Sequence, residues 1–477
     1  MREESLTAVA EAIRARTLSP VEAVERCLER VHKWDGRIRA FIRLDEEGAL
    51  ESARVLEAEA AAGRWRGPLH GVPVGFKDLC HFGGLPTLCG TSVPGDFTSA
   101  QDCTAARRLL DVGTISLGKL NMTELALGAF GDNAHHGDAD NPWLTGHATG
   151  GSSSGSGAGV AAGFLLGAVG SDTGGSIRLP AACCGVVGLK PTYGRVSRAG
   201  AMVLSWSMDH LGPLAWTARD VALLLQVMAG RDPADATASR RVVPDYLGGI
   251  DRGITGVRVG LPENYFFQGV GDEMASGVRR AMRQLEDLGA HVSEIRIPDP
   301  QHMTDVAMLI ARAESSALHA GVLREHPEAF QPTVRARLEM GLGVPAYDYL
   351  QALRLRAKLT RAFIREVFDE VDVLLTPVIP EPAPALAPLK AATVEEFITR
   401  SGRFSRLTRP FNGYGLPALS VPCGVTTTGL PLAFQAAGRP FDEGILLRLG
   451  HAYQEAAGWH VRRPPAAEKG PSASLAP

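Results

Sequence analysis

The sequence of 477 residues has no excess of charge of either sign. Its 49 Lys and Arg residues face 52 Asp and Glu residues, and no run of five like charges occurs. Proteins that bind nucleic acid through its phosphates present a basic surface, so nucleic acid is not expected as a partner. Charged residues make up 21% and apolar residues 45% of the chain. This balance excludes a disordered chain and predicts a sizeable folded core.

Long hydrophobic runs are also missing. The longest, residues 158–170, has 13 residues and is interrupted by glycine, whereas a membrane-spanning helix needs about 20 apolar residues. The N-terminal segment MREESLTAVAEAIRART is charged from its second residue and lacks the apolar core of a signal peptide. We therefore expect a cytoplasmic protein that has no membrane partner.

Cysteine is scarce and scattered. The seven cysteines are an odd number and show no CxxC spacing: Cys27, Cys80, Cys89, Cys103, Cys183, Cys184 and Cys423. This usage predicts reduced, mostly buried thiols, and neither a disulfide framework nor a zinc site.

Hydrophobic periodicity predicts an α/β protein. The first 35 residues read as two amphipathic helices, the second opened by a capping box of Ser19 and Glu22 with Pro20 between them. From residue 67 to 191, short apolar runs alternate with Gly-rich turns, as in buried strands interleaved with helices. Further helices are predicted at 219–228, 273–288, 304–371 and 443–456. Further strands are predicted at 256–261, 371–375, 418–421 and 432–436.

Two segments rich in glycine and serine stand out, GGSSSGSG at 150–157 and GSDTGGSIR at 170–178, and the apolar stretch between them is expected to form one buried helix. Such segments are usually turns. Here each adjoins strongly apolar sequence, which indicates glycines inside the core, where backbone can approach a ligand closely. The run from Thr173 to Ser176 could bring several backbone N–H groups beside a serine hydroxyl. That is the arrangement of an oxyanion hole next to a nucleophile.

A serine nucleophile needs a base, and the histidines do not suggest one. Four of them lie in polar loops with no partner pattern: His135, His136, His147 and His210. Lys77 instead ends the apolar run GVPVGF, where burial would lower its pKa and let the neutral amine accept a proton. Pairing with Asp78, or exposure to solvent, is the alternative that this segment leaves open.

Taken together, these segments resemble the amidase signature family of serine hydrolases. Residues 150–178 carry the family's GGSSxGS and GSDTGGSIRxPA patterns at the family's spacing, with Ser154 in place of a commoner glycine. Matching runs elsewhere are GPLHGVPVGFKDL, LGKLNMTELALG, NPW, GVVGLKPTYGRVS, LTPVIP, GLPALSVPCG and GRPFDE. The resemblance covers about residues 5–460.

The resemblance implies a fold: a central mixed, mostly parallel twisted β-sheet covered by helices on both faces. We expect one domain over residues 1–463, with a signature core at about 67–200. Residues 464–477 are small and contain proline, and we expect a disordered tail there.

The resemblance also implies a Ser-cisSer-Lys triad. Ser176 would be the nucleophile, Ser152 the bridging serine after a cis peptide bond, and Lys77 the base. The implied oxyanion donors are the backbone N–H groups of Thr173, Gly174, Gly175 and Ser176. Supporting roles fall to Ser153, Asp172 and Arg178, the last two as an ion pair or a hydrogen-bond clamp. No cofactor and no metal are implied.

The activity implied is hydrolysis of a carbon–nitrogen amide bond through an acyl-enzyme. The substrate would be a small-molecule amide, anilide or carbamate, with esters also accessible, and a homodimer stays open. Pocket walls are expected from residues 122–127, 202–206, 304–345 and the Pro-rich loop 376–388. Their apolar content suggests an aryl or alkyl acyl group: Leu125, Met202, Trp206, Met308 and Leu309.

Other functions are less consistent with the sequence. The A subunit of the glutamine-dependent aminoacyl-tRNA amidotransferase shares the motifs, but an RYDG-type run after Ser316 and an acidic residue near Ser405 are lacking. An α/β-hydrolase esterase would use Ser153 in GSSSG, yet polar loop sequence precedes it where a strand is needed. The run from Ser116 to Lys119 matches the S-x-x-K pattern of penicillin-binding enzymes. It falls at the end of a predicted strand, however, where the amidase signature family has the same LGK sequence. A binding protein without activity would not explain why all three triad residues are present.

Overall fold

A mixed β-sheet runs through the centre of the molecule. The computed structural model describes residues 4–82, 85–93, 99 and 101–465, and in this part of the chain one sheet of eleven strands has the order β1-β3-β2-β4-β6-β5-β10-β11-β9-β7-β8. The strands are β1 (Phe41–Leu44), β2 (Pro73–Lys77), β3 (Ile115–Leu120), β4 (Gly167–Asp172), β5 (Val187–Lys190), β6 (His210–Ala215), β7 (Arg258–Pro262), β8 (His291–Ile295), β9 (Val373–Pro377), β10 (Ala418–Val425) and β11 (Pro431–Gly438).

Parallel pairing is confined to two groups of three strands. Strand β2 pairs in parallel with β3 and β4, and β7 pairs in parallel with β8 and β9. The other six neighbouring pairs among the described strands are antiparallel. The sheet is therefore mixed, as expected. It is not mostly parallel, however: six antiparallel pairs stand against four parallel ones, because β6, β5 and the hairpin of β10 and β11 join the two groups through antiparallel pairs.

Helices surround the sheet. They are α1 (Leu6–Arg14), α2 (Pro20–Ile38), α3 (Glu46–Ala61), α4 (Thr104–Asp111), α5 (Ser154–Ala161), α6 (Arg178–Cys184), α7 (Ala218–Met228), α8 (Asp272–Asp287), α9 (Pro300–Glu325), α10 (Pro332–Leu342), α11 (Ala346–Phe368), α12 (Leu386–Lys390), α13 (Val394–Phe404), α14 (Arg409–Gly413) and α15 (Glu443–Ala457). Short 3-10 turns lie at Glu124–Ala126, Pro327–Ala329 and Trp459–Val461. The capping box of Ser19 and Glu22 is confirmed at the start of α2.

Both faces of the sheet are buried. Successive residues of β4 point to opposite faces, and they enter different hydrophobic clusters. Ala168 packs with α5 and α6 residues such as Ala158 and Ala181, whereas Val169 packs with residues of α7 such as Val221. Helices therefore cover each face, as the α/β prediction requires.

Two sequence-based boundaries were wrong. The apolar stretch 158–170, read as one buried helix, is the end of α5 followed by β4, and Gly163 makes the turn with φ 71°. The tract 304–371 is divided into α9, α10 and α11, because Pro327, Pro332 and Pro345 interrupt it. Most of the tail predicted to be disordered, residues 466–477, lies outside the described residues.

By length and composition alone, helix α9 could cross a membrane. Of its most apolar stretch of 18 residues, 39% is buried inside the protein. In this structure it packs against α10, α11 and α14. Its buried residues include Met303, Val306, Ala307 and Ile310.

Candidate active site

The predicted site residues come from three chain segments that meet at one edge of the sheet. Lys77 ends strand β2, Ser152 and Ser153 lead into helix α5, and Asp172 ends strand β4. Because β2 and β4 are parallel neighbours, their carboxyl ends lie side by side. The loop 173–177 that follows β4 therefore reaches the end of β2.

Lys77 is fully buried and has hydroxyl partners. Its Nζ donates hydrogen bonds to Ser152 Oγ at 2.7 Å and to Ser171 Oγ at 2.8 Å. Burial lowers the pKa of Lys77 to about 7, against the opposing attraction of carboxylates such as Asp209 and Asp172. The amine is therefore substantially neutral near pH 7.

The alternative pairing of Lys77 with Asp78 is not formed. The Asp78 carboxylate lies 3.4 Å from Nζ of the buried Lys119 and accepts a hydrogen bond from the Leu88 N–H at 3.0 Å. Asp78 thus forms a structural ion pair with Lys119 of the neighbouring strand β3. Lys77 contacts the hydroxyl groups of Ser152 and Ser171 instead.

Ser152 and Ser176 differ in exposure. Ser152 is fully buried, and the peptide bond between Gly151 and Ser152 is cis, as the resemblance implies. Ser176 is 8% exposed and opens onto a cavity. Ser153 holds the segments together: its Oγ contacts both the N–H and the carbonyl of Ser171 at 3.2 Å, and its N–H donates to the Ser176 carbonyl at 3.2 Å.

A buried ion pair fixes the loop after β4. Arg178 donates from Nε to Asp172 Oδ2 at 2.9 Å and from Nη2 to Asp172 Oδ1 at 3.0 Å, and both side chains are fully buried. Burial alone would raise the pKa of Asp172, but the Arg178 charge and hydrogen bonds from Arg178 and Asn412 outweigh it and hold that pKa well below its ordinary value. Arg178 also donates to the Gln435 side chain and the Thr408 carbonyl, each at 3.0 Å.

The four expected oxyanion donors are not equivalent. The Gly175 N–H already donates to Asp172 Oδ1 at 2.7 Å. The N–H groups of Thr173, Gly174 and Ser176, in contrast, donate to no described residue, and all three residues line the cavity. The loop therefore offers free N–H groups on the side where Ser176 opens.

The cavity beside Ser176 has a volume of about 150 Å³. Its lining combines apolar and basic side chains, and no Asp or Glu is found among the described residues that line it. The lining residues are Ala126, Leu127, Gly128, Ala129, Thr173, Gly174, Ser176, Leu179, Leu204, Ala307, Met308, Ala311, Arg312, Ser315, Arg337, Ile398, Ser401, Gly402, Ser405 and Arg409.

The expected pocket walls are only partly present. Residues 122–127 and 304–345 contribute, but 202–206 contributes Leu204 alone, and none of the lining residues comes from the loop 376–388. Trp206 is instead 41% exposed. The lining is mainly apolar, as expected, although Met308 is the one residue of the five named from the sequence that contributes. The sequence did not predict the three arginines, Arg312, Arg337 and Arg409, that also line it.

His210 was placed wrongly in a polar loop. It lies on strand β6, buried, with Nε2 3.2 Å from Lys190 Nζ and Nδ1 3.0 Å from the Asp172 carbonyl. Burial lowers the pKa of His210 far below its ordinary value, so the ring is neutral. Its contact with the Asp172 carbonyl supports the backbone at the end of β4, and His210 does not line the cavity beside Ser176.

The cysteines are buried and form no disulfide. Within the described ranges, no group of three or more His, Cys, Asp or Glu side chains is placed to hold a metal ion.

The chain resembles proteins of known type along almost its whole length. A family model described as Amidase matches residues 22–447. An amidase from Pseudomonas putida is 42% identical over 465 residues, which span 96% of this chain and 97% of that protein. The A subunit of a glutamyl-tRNA(Gln) amidotransferase from Chloroflexus aggregans is 38% identical over 482 residues, 96% of this chain and 98% of that one. A solved amidase structure is 35% identical, covers 95% and 99% of the two chains, and superimposes with a TM-score of 0.84.

Proposed function

Because the chain belongs to the amidase signature family and is an amide-hydrolysing enzyme, we propose that it works through a triad of Ser176, Ser152 and Lys77. The observation that carries this proposal is the 2.7 Å hydrogen bond between Lys77 Nζ and Ser152 Oγ, in a fully buried position. A lysine with hydroxyl partners and a pKa of about 7 is suited to accept a proton.

In the first half-reaction, the neutral Lys77 amine takes the Ser152 hydroxyl proton while Ser152 takes the proton of Ser176. Ser176 Oγ then attacks the substrate carbonyl carbon and forms a tetrahedral intermediate. The negative oxygen of this intermediate accepts hydrogen bonds from the free N–H groups of Gly174 and Ser176. Donors fixed before the reaction are worth more there than in water.

The intermediate then breaks down. The Lys77 ammonium group returns its proton through Ser152 to the leaving nitrogen, the carbon–nitrogen bond breaks, and the amine departs. A water molecule attacks the acyl-enzyme ester by the same relay and releases a carboxylate and the free Ser176. The sum is one amide and one water converted to one acid and one amine, and each proton transfer uses groups of this chain.

The Asp172 and Arg178 pair supports this chemistry by fixing the donors. Asp172 accepts hydrogen bonds from the N–H groups of Gly175 and Ile177, which fixes the backbone of the loop. Thr408 Oγ1 donates to the Gly174 carbonyl at 2.6 Å from the other side. Preorganised donors of this kind need little rearrangement during the reaction.

We assign the activity to linear amides, anilides or carbamates, with esters as further substrates, because each presents a carbonyl and a leaving group that the relay can protonate. We place it in one domain of residues 1–463, since the single sheet takes strands from residue 41 to residue 438. The enzyme is proposed to act on a small molecule in the cytoplasm.

A role as the A component of an amidotransferase is the second candidate, because several relatives carry that name. Free glutamine carries an ammonium group, which needs an acceptor or a carboxylate partner. Ser405 lines the cavity where an acidic residue was expected, and the described lining contains no carboxylate. The cavity therefore favours a free-standing amidase over a glutamine-dependent component of an assembly.

The α/β-hydrolase alternative is disfavoured by the position of Ser153. No strand directly precedes it in the described chain, and its hydroxyl is buried against the Ser171 backbone. It does not line the cavity beside Ser176.

The test is product release from a panel of primary amides, anilides, carbamates, p-nitrophenyl esters and glutamine. Wild type is compared with Ser176→Ala and with Ser116→Ala, a control serine on β3 outside the cavity. Activity that disappears only in Ser176→Ala supports the proposal. Activity that persists in Ser176→Ala refutes it and moves the nucleophile elsewhere, with Ser153→Ala tested next. A preference for glutamine would favour the amidotransferase role.

A further inference from the structure

Asp209 lies just before strand β6 and reaches the start of the oxyanion loop. Its Oδ1 accepts a hydrogen bond from Thr173 Oγ1 at 2.5 Å. Thr173 directly follows β4, lines the cavity beside Ser176, and is the first of the expected oxyanion donors. The Asp209 carboxylate therefore lies one hydrogen bond away from the loop on which the negative oxygen of the intermediate would rest.

The other carboxylate oxygen of Asp209 holds part of the cavity wall. Oδ2 accepts hydrogen bonds from the N–H groups of Leu204 at 2.7 Å and Ser205 at 3.0 Å. Leu204 lines the same cavity as Ser176. The Asp209 side chain, which is only 8% exposed, thus links this part of the wall to the oxyanion loop.

The segment 204–209 is also fixed from helix α9. The carboxylate of the buried Glu314 contacts Ser205 Oγ and accepts a hydrogen bond from the Ser207 N–H at 3.1 Å. Hydrogen bonds therefore hold this segment from two sides. The Asp209 side chain has little freedom to leave its partners.

Asp209 has hydrogen-bond donors around it but no cation of its own. None of the lysines, arginines and histidines that the structure describes lies within 4 Å of its carboxylate. Burial raises the pKa of Asp209 to about 6, although its hydrogen bonds and the charge of Arg198 oppose this. Arg198 itself lies 3.8 Å from Asp235. The charge of Asp209 is therefore available to a cation that forms nearby.

Such a cation forms when Lys77 accepts a proton in the proposed relay. Lys77 Nζ donates to Ser171 Oγ at 2.8 Å, and Ser171 lies two residues before Thr173. The side chains of Lys77 and Asp209 thus contact the same short segment, at the carboxyl end of β4. Both are buried, where water screens charges little, so each charge acts on the other.

The groups around Lys77 differ in whether their charge is already paired. Burial lowers the pKa of Lys77 to about 7, and attraction by four neighbouring groups opposes this: Cys80, Asp209, Asp172 and Cys89. The pKa values of both thiols are raised, for Cys80 by the neighbouring Cys103 thiol and for Cys89 by burial. Asp172 already pairs with Arg178 at 2.9 Å. Among these four groups, Asp209 is the one with a negative charge and no paired cation.

We propose that Asp209 is a positioning residue of the amide hydrolysis, which orients Thr173 in the oxyanion loop and stabilises the ammonium form of Lys77 during the reaction. This inference rests on the proposed triad and adds a residue that supports it. Without the Asp209 charge, Lys77 becomes a weaker base. Without the Asp209 hydrogen bond, the oxyanion donors are less well fixed.

The experiment measures the rate of fluorophosphonate labelling of Ser176 between about pH 5 and about pH 9, a reaction that needs no knowledge of the natural substrate. In wild type the rate should rise with pH as Lys77 loses its proton. In Asp209→Asn the midpoint should move to lower pH by about 0.5 unit or more, and the rate at about pH 8 should fall by about 10-fold. A merely structural loss would let water reach Lys77 and move the midpoint to higher pH.

The matched control is Asp220→Asn on α7. Asp220 is also a buried carboxylate, and it accepts hydrogen bonds from Thr7 Oγ1 at 2.7 Å and the Thr7 N–H at 2.8 Å. No α7 residue is among the described residues that line the cavity. This variant should lose stability and keep the wild-type midpoint. An unchanged midpoint in Asp209→Asn, or the same shift in both variants, would overturn the inference and leave the triad intact.

Substitutions at Thr173 keep the inference testable if the melting temperature shows that Asp209→Asn does not fold. Thr173→Val removes the hydroxyl group and keeps the shape, so labelling should slow by about 10-fold. Thr173→Ser keeps the hydroxyl group and should recover most of the rate. Wild-type labelling in Thr173→Val, or no recovery in Thr173→Ser, would overturn the inference. Absence of labelling at Ser176 in wild type would instead overturn the triad, and the inference with it.

Discussion

Lys77 and Ser152 are 75 residues apart in the chain, yet Lys77 Nζ donates to Ser152 Oγ at 2.7 Å in a fully buried site. A second buried lysine on the adjacent strand, Lys119, lies 3.4 Å from the carboxylate of Asp78. Lys77 has no described carboxylate within 4 Å and contacts hydroxyl groups. This difference in partners supports the proposed role of Lys77 as a base, whereas Lys119 pairs with Asp78 inside the fold.

Replacing Lys77 by methionine should abolish turnover without unfolding the protein. Lys77→Met keeps the length of a buried side chain and removes the amine, so the rate should fall by about 10²–10⁴-fold. Rates on the best substrate and thermal melting curves test this, with the exposed Lys358→Met on α11 as control. Near-normal activity in Lys77→Met would exclude Lys77 as the base.

The pH dependence of kcat/KM should report the titration of Lys77. Its pKa is lowered to about 7, and the neutral amine is the active form, so kcat/KM should rise with pH through about 7 and level off above it. The remaining activity of Lys77→Met should lack this limb. A wild-type rate that stays constant from about pH 6 to pH 8 would contradict the assignment.

The oxyanion loop should not tolerate a side chain at Gly175. This residue has φ 134°, and a methyl group would lie 2.9 Å from Thr408 Cβ and closer still to Thr408 Oγ1. We expect Gly175→Ala to lower kcat by about 10²-fold. Gly253→Ala is the control, because Gly253 also has a positive φ of 68° but has open space around it. Equal activities of the two variants would show that the loop geometry is not needed.

Breaking the ion pair of Asp172 and Arg178 should destabilise the protein strongly. Asp172→Asn leaves a fully buried arginine without its charged partner, which costs about 3–5 kcal/mol. Urea unfolding measures this, and Glu339→Gln at an exposed pair should cost less than about 1 kcal/mol.

The same pair sets a pH window for stability. The pKa of Asp172 is lowered in the folded state, so its contribution is fully present above its ordinary value of 3.8 and is lost as pH falls below it. Wild type should therefore lose stability on acidification below about pH 4 more steeply than Asp172→Asn does. Parallel curves for the two proteins would contradict this account of the loop.

Much of the site could be predicted from the sequence, because its parts lie at element ends that the sequence marks clearly. The apolar run before Lys77 indicates a buried strand that ends there. The Gly-rich segments around Ser152 and Ser176 adjoin apolar sequence on both sides. Parallel pairing of β2 and β4 then brings these ends together.

The arginine cluster could not be predicted in this way. Arg312, Arg337 and Arg409 come from separate helices, and an arginine on a helix usually faces solvent. Their convergence depends on how α9, α10 and α14 pack, which no local pattern encodes. The one local signal is the spacing of Met308 and Arg312, four residues apart on α9, which places both on one face.

Local composition misled the assignment of secondary structure at two places. His210 begins a strand whose sequence, HLGPLA, contains glycine and proline and so reads as a loop. The stretch 158–170 is equally apolar in its helical and its extended half, and composition alone does not separate the two.

Covalent labelling tests the central claim most directly. The wild-type enzyme is treated with a fluorophosphonate, and the modified residue is located by peptide mass mapping. The account predicts one adduct on Ser176, absent in Ser176→Ala and formed about 10²-fold more slowly or less in Lys77→Met. An adduct on Ser153, or labelling at the wild-type rate in Lys77→Met, would contradict it.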